Sequence, residues 1–193
     1  MPERKPTRLK RYDYSTPGAY FITVCAHERF ENRNIFGSIH NGEMTINRWA
    51  VVVESCWCDL PNHYVHVSLD EFIVMPDHFH GIVWINNIPV GNGHARSPQR
   101  QNETLPNVVG SFKSAVSRNI HQNDFPDFQW QKSYYDHVIR NDESLQKIRE
   151  YVRKNPRKWE LDRDDNETND IMKIIGHVGN RHACSLQMTA GEE

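Results

Sequence analysis

Two segments carry side chains whose types and spacing suit chemistry. The first is Met75-Pro76-Asp77-His78-Phe79-His80-Gly81-Ile82-Val83-Trp84-Ile85. Pro fixes its own φ and Asp tolerates tight backbone geometry, so Met75-Pro76-Asp77 reads as a turn. From His78 to Ile85 the residues suit a pleated, buried strand, on which side chains two apart share a face. His78 and His80 then project side by side, with Phe79 in the opposite layer. Two imidazoles so placed can share one divalent cation; a packed or surface histidine pair is the plain alternative. The second segment runs from Asn141 to Pro156 and reads as a helix. On it Tyr151 and Asn155 are four apart and share a face.

A phenol, two imidazoles and an amide oxygen suit strand cleavage of DNA without a high-energy cofactor. A divalent ion polarises the scissile phosphate. A hydroxyl nucleophile attacks phosphorus and holds the end covalently. A phenol, with a pKa of about 10, leaves more readily than an alkyl hydroxyl, so the ester is reversible. His78, His80 and the Asn155 side-chain oxygen would be the ligands, with Tyr151 within reach of the phosphate. Lys147 and Lys154 flank Tyr151 and would steer the backbone or ease phenolate formation. A zinc hydrolase built on His78 and His80 is another reading, but no further His or carboxylate stands at helical metal spacing.

The surrounding elements must position these groups. Ala19 to His27 alternates and is rich in β-formers, so it reads as a strand. Asn41-Gly42 between two short β-prone runs signals a hairpin over 35–46. Asn47 caps a helix running to about Leu60. Val65 to Val74 is a strand that hairpins through Pro76-Asp77 into His78–Ile85. Leu105, Val108, Val109, Phe112, Val116 and Ile120 make the apolar stripe of a helix from Thr104 to His121. Tyr134 to Ile139 is a short strand. The last helix starts at the Asn141 cap, carries Asp142 and Glu143 where its dipole favours acids, and is expected to stop at Asn155 because of Pro156.

The 193-residue chain suits one domain with appendages. The reading is a basic arm at 1–17, a catalytic-type domain at 18–160 and an acidic, disordered tail at 161–193. The linker segment Val90 to Gln99 resembles Val178 to Gln187 in the tail, as chance or as two copies of one short DNA repeat. No run of 18 apolar residues exists, so no membrane span is expected. Cys25, Cys56, Cys58 and Cys184 show no zinc spacing and no secreted-type disulfide framework, which points to a reducing cytoplasm. The net charge of −2 does not itself suggest nucleic acid, but basic residues cluster in the arm and around Tyr151. In the arm, Arg8, Lys10, Arg11 and Tyr12 mix cations with an aromatic, a combination that grips phosphates and stacks bases.

Met75-Pro76-Asp77-His78-Phe79-His80-Gly81-Ile82 resembles the His-hydrophobic-His (HUH) motif of single-tyrosine transposases. Trp130-Gln131-Lys132-Ser133-Tyr134-Tyr135-Asp136-His137-Val138-Ile139-Arg140-Asn141, followed by Ile148-Arg149-Glu150-Tyr151-Val152-Arg153-Lys154-Asn155-Pro156, resembles the C-terminal signature of the REP-associated tyrosine transposases. The opening from Tyr12 to Phe21 is similar to the family's start. The resemblance implies an α+β fold, an antiparallel sheet backed by helices in the ferredoxin or RNA-recognition-motif manner. It implies Mg²⁺- or Mn²⁺-dependent nicking of single-stranded DNA at short palindromic hairpins, in a bacterial cytoplasm at the nucleoid. The product would be a 5′-phosphotyrosine with a free 3′-hydroxyl. By motif position His78 and His80 match the metal histidines, Asn155 the third ligand and Tyr151 the nucleophile, with Tyr134 and Tyr135 as weaker candidates. Lys113, His137 and Arg140 are expected DNA contacts beside the arm, Lys147 and Lys154. A non-catalytic hairpin-DNA binder with the same fold, or another HUH endonuclease, are the alternatives. Monomer and dimer are both left open.

Overall fold

The computed structural model describes residues 12–30, 34–87 and 104–164. Arg8, Lys10 and Arg11, the internal similarity of the linker and tail, and the tail from 165 onward lie outside the described residues. The strands are β1 (Gly18–Cys25), β2 (Gly37–His40), β3 (Glu43–Ile46), β4 (Val67–Val74), β5 (His78–Ile85) and β6 (Tyr135–Ile139). The helices are α1 (Arg48–Cys58), a short α2 (Leu60–His63), α3 (Leu105–Gln122) and α4 (Asp142–Asp164).

β4, β5, β1 and β6 form, in that spatial order, a fully antiparallel sheet. With the β2–β3 hairpin set aside, the chain runs β-α-β-β-α-β, the split βαβ arrangement, and then adds α4. The fold is α+β, an antiparallel sheet packed against helices.

Strand alternation sorts the core into two layers. Tyr20, Ile22 and Val24 of β1 and Phe79, Val83 and Ile85 of β5 face α1 and α3, where Trp57 and the whole expected stripe of α3 are buried. Ala19 and Phe21 of β1, Ile82 of β5 and Ile139 of β6 face α4 through Leu145, Ile148 and Val152. Each large side chain so buried is worth about 1.5–3 kcal/mol relative to exposure. Gly81 keeps the first layer tight: a Cβ there would come within 2.7 Å of the Trp57 ring.

Local signals set the connections. Asn41 (φ 55°) and Gly42 (φ 75°) make the tight β2–β3 turn. The Asn47 side chain accepts from the backbone N–H of Trp49 and Ala50 and starts α1. The β4–β5 turn at Pro76-Asp77 is closed by the Met75 N–H bonded to the His78 carbonyl at 2.8 Å.

One expectation fails. α4 does not stop at Asn155 but continues through Pro156 to Asp164, so residues 161–164 are helical. Proline removes the bond to the Val152 carbonyl, at about 3 kcal/mol in an isolated helix. Tertiary packing offsets this. Pro156 is buried, the Trp159 ring lies on His78 with centroids 5.2 Å apart, and the Asn41 N–H donates to Glu160 Oε1 at 3.0 Å. Among the described residues no helix is long and apolar enough to cross a membrane. Among the described residues Cys56 and Cys58 are free thiols.

Candidate active site

The site lies on the α4 side of β5. His78 and His80 point the same way, and their Nε2 atoms are 3.0 Å apart. Each ring is held from behind. Asp77 Oδ1 is 2.7 Å from His78 Nδ1, and Thr23 Oγ1 is 2.8 Å from His80 Nδ1. The first contact comes from the turn before β5. The second comes from strand register, since Thr23 on β1 is the cross-strand partner of His80. The two Nε2 atoms are at hydrogen-bond distance from each other; with both Nδ1 atoms donating, both Nε2 lone pairs would be available to one cation. Carboxylate or hydroxyl support behind a ligating imidazole is the usual outer shell of a metal site. Phe21 stacks on the His80 ring at 5.3 Å and fixes its other face.

α4 lies across the pair. Tyr151 Oη is 3.5 Å from His80 Nε2, too long for a firm bond but close enough to place the phenol over the site. Eight residues on, Trp159 covers His78. Asn155 stands midway in the same column, 5% exposed, and its Nδ2 has no hydrogen-bond partner. Among the described residues no group of three or more His, Cys, Asp or Glu could hold a metal. His78 and His80 are the two potential donors brought together at this place, with Asn155 buried one helical turn beyond Tyr151.

α4 is registered against β4 by ion pairs. Arg149 donates from Nε and Nη2 to Asp70 at 2.9 and 2.6 Å, and Arg153 meets Glu71 at 2.6 Å. The β4–β5 register shifts between Leu69 and Phe72, and both intervening acids bond to α4. The Arg149 guanidinium, assisted by bonds from the Glu71 N–H and Trp84, holds the Asp70 carboxyl down at about 2.

The remaining expected DNA contacts divide. Tyr12 is tied to the core layer across the sheet: its ring meets Tyr14 edge-on at 5.1 Å and its hydroxyl is 3.3 Å from that of Tyr20. Lys113 also lies in that layer's helix and donates to the carbonyls of Gln131, Lys132 and Ser133. His137 faces the site side beside Phe21, and burial, with Arg140 nearby, lowers its pKa. Arg140 is exposed. Lys147 and Lys154 are exposed and paired along the helix with Glu143 and Glu150. Sequence reasoning missed Asp77, Thr23, Phe21 and Trp159. Asp77 was legible as the residue before the motif; Thr23 and Phe21 needed the register, and Trp159 needed the helix to continue past Pro156.

No family model matches the chain. An uncharacterized protein of Haemophilus influenzae is 35% identical over 167 residues, spanning 82% of this chain and 91% of that protein. The chain belongs to this protein's family. A solved structure of a REP-associated tyrosine transposase bound to a REP hairpin is similar to the chain with a TM-score of 0.53 and 16% identity, covering 79% of this chain and 74% of that one. The likeness is one of fold. A putative transposase from Deinococcus radiodurans, with a TM-score of 0.43, 16% identity and coverage of 75% and 94%, is more distant.

Proposed function

We propose that the protein is a metal-dependent single-stranded DNA endonuclease and strand transferase that acts at short palindromic hairpins through a covalent 5′-phosphotyrosine at Tyr151. The carrying observation is the convergence of two back-supported histidine Nε2 atoms, 3.0 Å apart, with a tyrosine hydroxyl 3.5 Å from one of them. The fold it shares with a hairpin-bound REP-associated tyrosine transposase supports the substrate class.

His78 and His80 would hold Mg²⁺ or Mn²⁺ through Nε2, with the Asn155 side-chain oxygen as third ligand. The ion would polarise the scissile phosphate and neutralise its charge. Asp77 and Thr23 keep both Nε2 lone pairs aimed at the ion. Tyr151 Oη bonds to phosphorus as the bond from phosphorus to the 3′-oxygen breaks. The phenol proton passes to solvent and the 3′-oxygen takes one up. Attack by a 3′-hydroxyl reverses the step and rejoins a strand. Tyr134 is buried in the layer across the sheet. Tyr135 on β6 pairs with Thr23 of β1, so its backbone lies two strands, about 10 Å, from that of His80. These positions support Tyr151 as the nucleophile.

The deep burial of the histidine pair under α4 favours one second reading, a hairpin-DNA binder without turnover. Incubation with Mn²⁺ and hairpin DNA separates the two. The proposed reaction gives an SDS-resistant protein–DNA adduct that Tyr151→Phe abolishes. Binding without adduct, on several hairpins and with either metal, would leave the binder.

A further inference from the structure

The proposed reaction, on which this inference rests, requires a phosphate oxygen beside His78 and His80. In the described arrangement the side chains that would meet it are buried. His78 is 5% exposed, His80 3% and Asn155 5%. Two residues of α4 close the site: Tyr151 over His80 and Trp159 over His78.

The closed arrangement carries unmade bonds at this place. Trp159 Nε1 and Asn155 Nδ2 are both buried with no hydrogen-bond partner. They stand about one turn apart on the same helix, and the Trp159 ring lies on His78. A buried donor left unpaired disfavours the state that buries it. Trp57 and Trp130 also carry unpartnered Nε1 atoms, but within the apolar layer across the sheet.

The two halves of α4 are anchored differently. The half that carries Tyr151 is clamped to β4 by Arg149–Asp70 and Arg153–Glu71. Pro156 then interrupts the backbone bonding, the usual place for a helix to bend. The half that carries Trp159 rests instead on the β2–β3 hairpin. There the Asn41 N–H holds Glu160, and Gly42 lies so close to Arg157 that a Cβ would meet its Cβ at 3.2 Å. This hairpin is a separate two-stranded sheet.

We propose that the segment from Pro156 to Leu161 is a lid on the histidine site, hinged at Pro156, latched by the β2–β3 hairpin through Glu160, and plugged by the Trp159 indole. Opening uncovers His78 and frees the two unpaired donors. Tyr151 stays in place because its half of the helix remains clamped. The lid thereby separates access to the metal ligands from positioning of the nucleophile.

The test is labelling of the metal-free full chain with diethyl pyrocarbonate, read peptide by peptide. His63, exposed, is the fast reference, and His66, buried across the sheet, reports integrity. In the wild type His78 labels at least about tenfold more slowly than His63, as expected for a site reached by local opening. Trp159→Ala raises the His78 rate about tenfold, and Glu160→Ala, which keeps the indole and releases the latch, raises it about threefold. Pro156→Ala restores a backbone bond at the hinge and lowers it. His66 stays slow in all three. A His78 rate that these variants leave unchanged, or that rises only together with His66, overturns the lid. With hairpin DNA and Mn²⁺, Glu160→Ala also forms adduct faster than wild type. If no variant forms adduct on any hairpin, the proposed reaction fails, and the labelling ratios still decide the lid.

Discussion

Asp70→Asn tests whether the tyrosine helix is held by a charge on β4. Both Asp70 oxygens are used: Arg149 takes one at 2.9 Å and the other at 2.6 Å, and Trp84 Nε1 donates at 3.1 Å. The Asp70 side chain is 12% exposed and that of Arg149 26%, so water screens the pair only in part. The carboxyl lies at about 2 against an ordinary 3.8. That difference corresponds to about 2 kcal/mol of stability held by the ionised form. The sign follows from the direction: the folded carboxyl titrates below the unfolded one. The contribution is therefore complete above the ordinary carboxylate value and is lost as pH falls toward about 2. Urea unfolding at pH 7 should show Asp70→Asn less stable by about 2 kcal/mol. The difference between wild type and variant should shrink to nothing as acid protonates the wild-type group. A cycle with Arg149→Met assigns the loss to the pair. A loss below about 0.5 kcal/mol, as for an ordinary exposed pair, or a difference that persists in acid, refutes the reasoning.

Other outcomes follow from the same geometry. Asp77→Asn keeps a group behind His78 but removes its charge, and Mn²⁺ affinity by titration should fall about 10- to 100-fold with the fold intact. Lys113→Met leaves three carbonyls without their ammonium, so thermal unfolding should register a loss of about 1–3 kcal/mol while affinity for hairpin DNA stays level. His137 is held neutral by burial, so its contribution is present above its unfolded pKa of about 6.5 and lost as pH falls through the lower folded value. His137→Phe should flatten that part of the stability–pH curve; an unchanged slope would count against it.

How much of this was legible in the sequence depended on how local each signal was. The alternation from His78 to Ile85 put both histidines on one face, and the stripe from Leu105 to Ile120 fixed α3, because both patterns are read within one element. Asn41-Gly42 and Asn47 likewise act on their own neighbours. The end of α4 was misjudged because the rule for Pro156 is local, while the packing of Trp159 on His78 and of Glu160 on the hairpin is not. Thr23 became part of the site only through a pairing between strands 57 residues apart. Tyr12 and Lys113 show what a sequence pattern leaves out. An aromatic or a lysine in a basic setting looks available for DNA, and only the fold shows that Tyr12 belongs to an aromatic cluster and that Lys113 is taken up by loop carbonyls.

The order of parts along the chain has a consequence for synthesis. The histidines are completed by residue 80, but Tyr151 arrives 71 residues later, on the last described helix. Chains emerge amino end first and fold as they do so. A nascent chain, or one released before Asp142, would carry both histidines and no phenol to attack a strand. Prematurely terminated products are thus without the nucleophile of the proposed reaction. In the proposed reaction the nucleophile is added only after all four strands of the sheet, the histidine strand among them, have been made.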